Sequence, residues 1–312
     1  MNTGASVGAS KTQQVRAHLQ NLQHRICGML EEIDGSARFA EDEDVSANGS
    51  LSSPRIMTEG PVVEKAAVNF SHSIGAALPK AATDRRPEFA GCGFQAVSLS
   101  LIVHPRNPYA PTTHANFRFF QVERGDEDVA WWFGGGYDLT PYYGFEDDAV
   151  HWHQTAKQAS DPFGDEIYPK MKTRCDDYFY IPHRKEARGI GGIFFDDWNH
   201  NGFEESFSLV KALSNSFLPA YQPILERRKD VPYTEKERAF QLFRRGRYAE
   251  FNLVYDRGTQ YGLQSGRRTE TVMASMPPLV AWHYKYPVEP GSPEHKLYTA
   301  FLPPRDWVGE TV

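Results

Sequence analysis

Cysteine is scarce in this chain, with three among 312 residues: Cys27, Cys92 and Cys175. They are odd in number, far apart and form no CxxC pair. That excludes a disulfide framework or a thiolate zinc site as the organising device and points to a reducing compartment. Positive charge is also in short supply. Lys and Arg number 34 against 40 Asp and Glu, a formal net charge of −6, which excludes a general nucleic-acid binder. No apolar run reaches the ~18 residues expected of a membrane span. Met1 to Ser10 are small and polar, with neither a basic start nor an apolar stretch. No secretory signal is therefore expected, and the expected location is cytoplasmic. Nucleotide-binding glycine patterns are missing too. Gly134-Gly135-Gly136 lacks GxGxxG spacing, and Gly189-Ile190-Gly191-Gly192 precedes a strand instead of following one.

Aromatic and apolar residues are plentiful: 20 Phe, 15 Tyr and a 40% hydrophobic share suit one large globular domain spanning 1–312. Val15, Leu19, Leu22, Ile26, Leu30 and Ile33 recur at helical steps and predict a helix over 11–33, stopped by Gly35. An acidic run at 41–44 and small polar residues at 46–53 predict a mobile loop over about 36–54. Strands are predicted over 95–103, 114–122, 129–133, 193–195 and 251–255. The third ends at the three glycines, read as a sharp turn beside a ligand. Helices are predicted over 147–159, 165–178, 203–228 and 235–245, the last opened by the capping box Thr234–Glu237. Strands cluster centrally without a βαβ rhythm, so the expected class is α+β: an antiparallel sheet covered by helices.

Residues two apart on a strand share a face. His114, Asn116 and Arg118 therefore point one way, and Phe117 and Phe119 the other. A histidine, an amide and a guanidinium in a row suit a carboxylate-bearing ligand. A solvated sheet face explains the same row equally well. Ser100 and His104 share parity on the preceding strand and would face the same side if the two strands form a hairpin. Ser100 has no nucleophile elbow. Five histidines, His104, His114, His151, His153 and His183, lie close in sequence with Asp196 and Asp197. Their spacing matches no strong metal motif, and structural histidines account for them as well. If 251–255 is a strand, Glu250, Asn252, Val254 and Asp256 share one of its faces. Asp256-Arg257-Gly258-Thr259 and Gly266-Arg267-Arg268 are Gly-containing basic turns, either of which an ordinary solvated loop would also explain.

Taken together, several segments resemble the oxygen-dependent coproporphyrinogen oxidases. They are the runs 97–109, 113–119, 132–143 (Trp132-Phe133-Gly134-Gly135-Gly136-Tyr137-Asp138 and onward), 188–197, 250–259 and 275–278. The resemblance spans about Arg55 to Trp307. It implies a homodimer built on a flat antiparallel sheet sandwiched between helices, with the contact at about 248–283. The implied reaction uses O2 as co-substrate and no flavin or nicotinamide. It turns the ring A and B propionates of coproporphyrinogen III into vinyl groups, giving protoporphyrinogen IX, CO2 and H2O2. Carried over by position, His114 is the proton donor, and Asp256 and Arg257 engage the macrocycle. Ser100, Asn116, Phe117, Arg118, Gly266, Arg267 and Arg268 contact substrate. His104, His114, His153 and His183 hold a divalent cation of unspecified identity. At Arg267 relatives more often carry a small residue. Two other classes fit parts of the pattern: a mononuclear metal hydrolase using the histidines with Asp196 or Asp197, and a non-catalytic tetrapyrrole carrier.

Overall fold

The structure, a computed structural model, describes residues 9–78, 86–125, 127–264 and 268–309. Helix α1 (Lys11–Asp34) forms where the apolar repeat predicts it, and a capping box opens it. Ser10 accepts from the Gln13 amide, and Gln13 reaches back to the Ser10 backbone. It ends on Gly35 with φ 80°, a left-handed turn that glycine adopts without strain.

The sheet is antiparallel, in the order β1 (Ala40–Glu41), β3 (Leu51–Thr58), β4 (Val63–Gly75), β5 (Gly93–Pro105), β6 (Thr112–Arg124), β7 (Glu127–Thr140) and β10 (Gly191–Trp198), with β2 (Asp44–Val45) also on β3. A separate two-stranded ribbon joins β8 (Tyr180–Ile181) to β9 (Glu186–Ala187). The α+β expectation holds. Val97, Leu99, Leu101 and Val103 on β5, Ala115, Phe117 and Phe119 on β6, and Phe133, Tyr137 and Leu139 on β7 form one buried face. Helices α1, α2 (Glu146–Ser160) and α4 (Gly202–Arg228) belong to this layer. Each large apolar side chain buried there contributes about 1.5–3 kcal/mol.

The other face carries the even-numbered positions of β5, β6 and β7 and the odd-numbered ones of β4. Elements that contact it are α3 (Ile167–Tyr178), α5 (Glu235–Val254), α6 (Arg257–Gln264) and α7 (Thr269–Met273). Tyr248 and Ala274 pack on Ala67 and Ile102. Lys65 and Asn69 donate to the carbonyls of Met276 and Thr271. The short helix α8 (Pro293–Lys296) lies near the C-terminus.

Four expectations change. Residues 36–54, expected as a loop, contain β1, β2 and the start of β3. The three glycines do not turn: β7 runs through them because they let its neighbours close in. A Cβ on Gly135 would lie 2.4 Å from the Asn116 carbonyl oxygen, and one on Gly136 would lie 2.0 Å from that of Ile193. Residues 251–254 end helix α5 and are not a strand; burial of Phe240, Arg244, Tyr248 and Phe251 follows the helical repeat. The shared face drawn from 250 to 256 is therefore lost.

The fourth change is Phe117. It is 1% exposed in the helix-covered core, so it lies on the opposite side of the sheet from Asn116 and Arg118 and does not line their face. Phe117→Ala should cost about 3–5 kcal/mol of stability through the cavity it leaves. Urea unfolding measures that loss, and an unchanged midpoint would place the ring outside the core.

Candidate active site

The β5–β6 hairpin forms as expected, and its register sets the floor of the open face. Ser100 sits opposite Asn116, which sits opposite Gly136; Ser98 sits opposite Arg118, which sits opposite Gly134; His114 sits opposite Asp138. The strip is polar and low because Ser98, Ser100, Gly134 and Gly136 present small side chains or none.

Asp138 anchors one end. Its carboxylate is almost fully buried and accepts from His114 Nδ1 at 2.9 Å and from Arg188 Nη2 at 2.8 and 2.7 Å. Burial alone would raise the Asp138 pKa. The Arg188 charge, together with His114, overrides that and holds it below the usual carboxylate range. Arg188 is equally buried, 4.2 Å over the Phe179 ring and 4.6 Å over Tyr248. With Nδ1–H given to Asp138, a neutral His114 presents Nε2 as a proton acceptor, and a protonated one presents it as a donor. The ring is part-exposed and meets the Phe179 edge at 5.9 Å between centroids.

The second cluster is made of guanidinium and carboxylate groups. Arg118 donates to Asn116 Oδ1 at 3.0 Å and to Asp196 Oδ1 at 2.7 Å. Arg257 reaches Asp196 Oδ2 at 3.3 Å. Burial opposes the Asp196 charge, but Arg118 and then Arg257 keep its pKa lowered. Arg118 crosses directly over Gly134, where a Cβ would lie 2.7 Å from Nη2. Arg257 lies over Tyr178, whose ring stacks on Phe194 at 4.5 Å. A cavity of about 1280 Å³ opens beside β10, lined in part by Tyr178, Phe194, Asp196, Asp197 and Arg257. It borders this cluster without reaching His114 or Ser100, so the sheet-face register, not the cavity, defines the candidate site.

Other expected residues lie elsewhere or are otherwise engaged. Asp256 accepts from Tyr178 Oη and, through its other oxygen, from the Thr259 amide and hydroxyl. That is a cap at the start of α6, and it takes up both carboxylate oxygens. Arg268 pairs with Asp42 at the surface. Gly266 and Arg267 lie outside the described residues.

The expected metal set does not fit a shared centre. His104 is buried with its ring nitrogens on Thr112 Oγ1 and the Ser275 carbonyl. His153 spends its own on Tyr168 Oη and the Ile190 carbonyl, and His183 on Tyr255 Oη and Glu250. Among the described residues, no group of three or more His, Cys, Asp or Glu is placed to hold a metal ion. Sequence reasoning missed Asp138 and Arg188 as site residues, and considered Asp196 only as a metal ligand. The available signal was an aspartate and an arginine each bordering a glycine run.

The fold is α+β, and its open sheet face places the His114–Asp138 pair beside the cluster of Arg118, Arg257 and Asp196. A profile of the family Coproporphyrinogen III oxidase matches residues 14–307, nearly the whole chain. The chain belongs to that family, oxidoreductases of porphyrin biosynthesis.

His153 has a testable structural role. Burial, then the Lys172 charge, lowers its pKa from 6.5 to about 3. A depressed folded pKa gives stability that is full above 6.5 and is lost as pH falls toward about 3. The stability advantage of the native protein over His153→Gln should therefore shrink steadily on acidification below pH ~6.5. Thermal melts of both across pH measure the gap, and a pH-independent gap would contradict the neutral buried imidazole.

Proposed function

We propose that the chain carries out oxygen-dependent oxidative decarboxylation of coproporphyrinogen III to protoporphyrinogen IX. In each of two rounds a –CH2CH2COO⁻ chain becomes a vinyl group. The bond to the carboxylate carbon breaks and CO2 leaves. The carbon next to the pyrrole gives up one hydrogen with two electrons. O2 takes both, and with one proton from solvent leaves as H2O2. The reduced tetrapyrrole is electron-rich and supplies those electrons. The chain's own tasks are to bind, orient and move protons.

The observation that carries this reading is the arginine–aspartate cluster of Arg118, Asp196 and Arg257 on the same face as His114. An incoming propionate would meet Arg118 in bidentate geometry. His114 Nε2 would move a proton at the reacting pyrrole edge, its ring held by Asp138. Ser100 and Asn116 would line the floor between them. A carrier lacking catalysis would not need the His114–Asp138 pair, which favours the enzyme.

The test is aerobic and anaerobic incubation with coproporphyrinogen III, with fluorescence detection of oxidised products. Turnover should require O2, and equal activity in anaerobic buffer would overturn the mechanism. His114→Ala should lower kcat by about 10²–10⁴-fold with binding retained. Arg118→Lys should mainly raise KM, at a cost of roughly 1–3 kcal/mol.

We also propose a homodimer. Leu253, Val254, Leu263, Leu279 and Trp282 are exposed, and all fall in the 248–283 segment. A second copy of the chain would cover this apolar surface. Sedimentation should give about twice the 35.4 kDa chain mass, and a monomer at micromolar concentration would rule the dimer out.

A further inference from the structure

The open face does not end at Arg118. One strand-pair step beyond it, Phe120 sits opposite Trp132 on β6 and β7. Two residues along a strand correspond to about 7 Å, and the side chains keep the same face. Phe94, Phe120 and Trp132 form a stacked row, with centroids 5.3 Å and 4.8 Å apart and planes within 4° and 17° of parallel. Phe120 and Trp132 are only partly buried. A row of stacked aromatic rings thus borders the polar strip at the end away from His114.

A cation stands over Trp132, at the end of that row. The Arg86 guanidinium lies 3.9 Å from the Trp132 ring centroid and donates to Asp197 Oδ1 at 2.8 Å. Asp197 follows Asp196, the partner of Arg118. Successive strand residues normally point to opposite faces. Here the β7–β10 register shifts between Phe195 and Trp198, and Asp197 takes φ 55°. The irregularity brings both carboxylates to arginines of the open face. A left-handed aspartate is an unfavourable conformation, of the kind that persists where the surroundings enforce it. Asp196 is 26% exposed and holds two arginines, whereas Asp197 is 61% exposed and holds Arg86. A solvated pair of that kind is weak, so Arg86 can leave Asp197 for an arriving carboxylate at little cost.

We propose that Arg86 is a further substrate-binding residue, taking a carboxylate at the far rim of the tetrapyrrole, with the edges of Trp132 and Phe120 as the apolar wall beside it. Asp197 is its positioning residue. This rests on the reading of the chain as acting on a macrocycle with four carboxylates. Such a ligand needs cations at separated points on its rim, and Arg118 and Arg257 converge on one of them. Arg86 supplies another, beside an apolar wall suited to the ring.

Steady-state kinetics with coproporphyrinogen III on the full-length protein tests the assignment. Arg86→Gln should raise KM by about 10- to 100-fold, the scale of one charge-assisted hydrogen bond, with kcat within about twofold. Arg86→Lys should recover part of the loss, which a purely structural role would not predict. Asp197→Asn should raise KM in the same direction by less. An Arg86→Gln enzyme with unchanged KM, beside an active native enzyme, would overturn this proposal and leave the proposed reaction standing. A lowered kcat at unchanged KM would also overturn it. No turnover by the native enzyme would overturn both.

Discussion

The buried pair between Arg188 and Asp138 is the constraint on which the site depends. Asp138 belongs to β7, Arg188 to the segment entering β10, and the rings around Arg188 come from Phe179, Tyr248 and Phe251. One ion pair thus joins the sheet to the helical layer on its open face. Two charges removed from water are tolerated only when each compensates the other. Removing one partner of such a pair typically costs about 3–5 kcal/mol. The remaining acceptor capacity of Asp138 goes to His114, so the same pair also fixes the imidazole that opens to the site.

The glycines of β7 provide the second constraint. A side chain at Gly134 would collide with the Arg118 guanidinium, and one at Gly136 would collide with the β10 backbone. The result is a low strip across which Arg118 reaches Asp196. Apolar packing on the opposite face, from Leu19 and Leu22 through Phe117 to Phe217, holds that strip in place. The stacked aromatic row and Tyr248 with Ala274 close its two ends. One sheet face is therefore closed by the apolar core, while the other keeps its polar strip open between partial covers.

Much of this was legible in the sequence because strand alternation is a short-range signal. Val97 to Val103 and His114 to Arg118 reveal both faces of the β5–β6 hairpin without further information. The start of α5 was legible for the same reason, since Thr234 acts on a residue three positions away. β3 and β4 were missed because Ser52, Ser53, Asn69 and Ser71 dilute the alternation. The end of α5 read as a strand because five residues of aromatic and β-branched character hold too little of the 3.6-residue period. Asp138–Arg188 and Asp196–Arg118 span 50 and 78 residues, and no local pattern encodes which distant charges will meet. The histidines show the same limit: proximity in sequence suggested a shared ion, while the fold spends His104 and His153 on internal hydrogen bonds.

The most direct test of this account is Asp138→Asn, assayed for kcat, KM and thermal midpoint on coproporphyrinogen III. The substitution keeps the shape of the side chain and removes the charge that Arg188 and His114 share. The account predicts a lowered thermal midpoint, a kcat reduced by about 10²–10⁴-fold and a KM changed little. A kcat within twofold of the native enzyme would contradict it, because the His114 ring would then be held in its working orientation without the buried carboxylate.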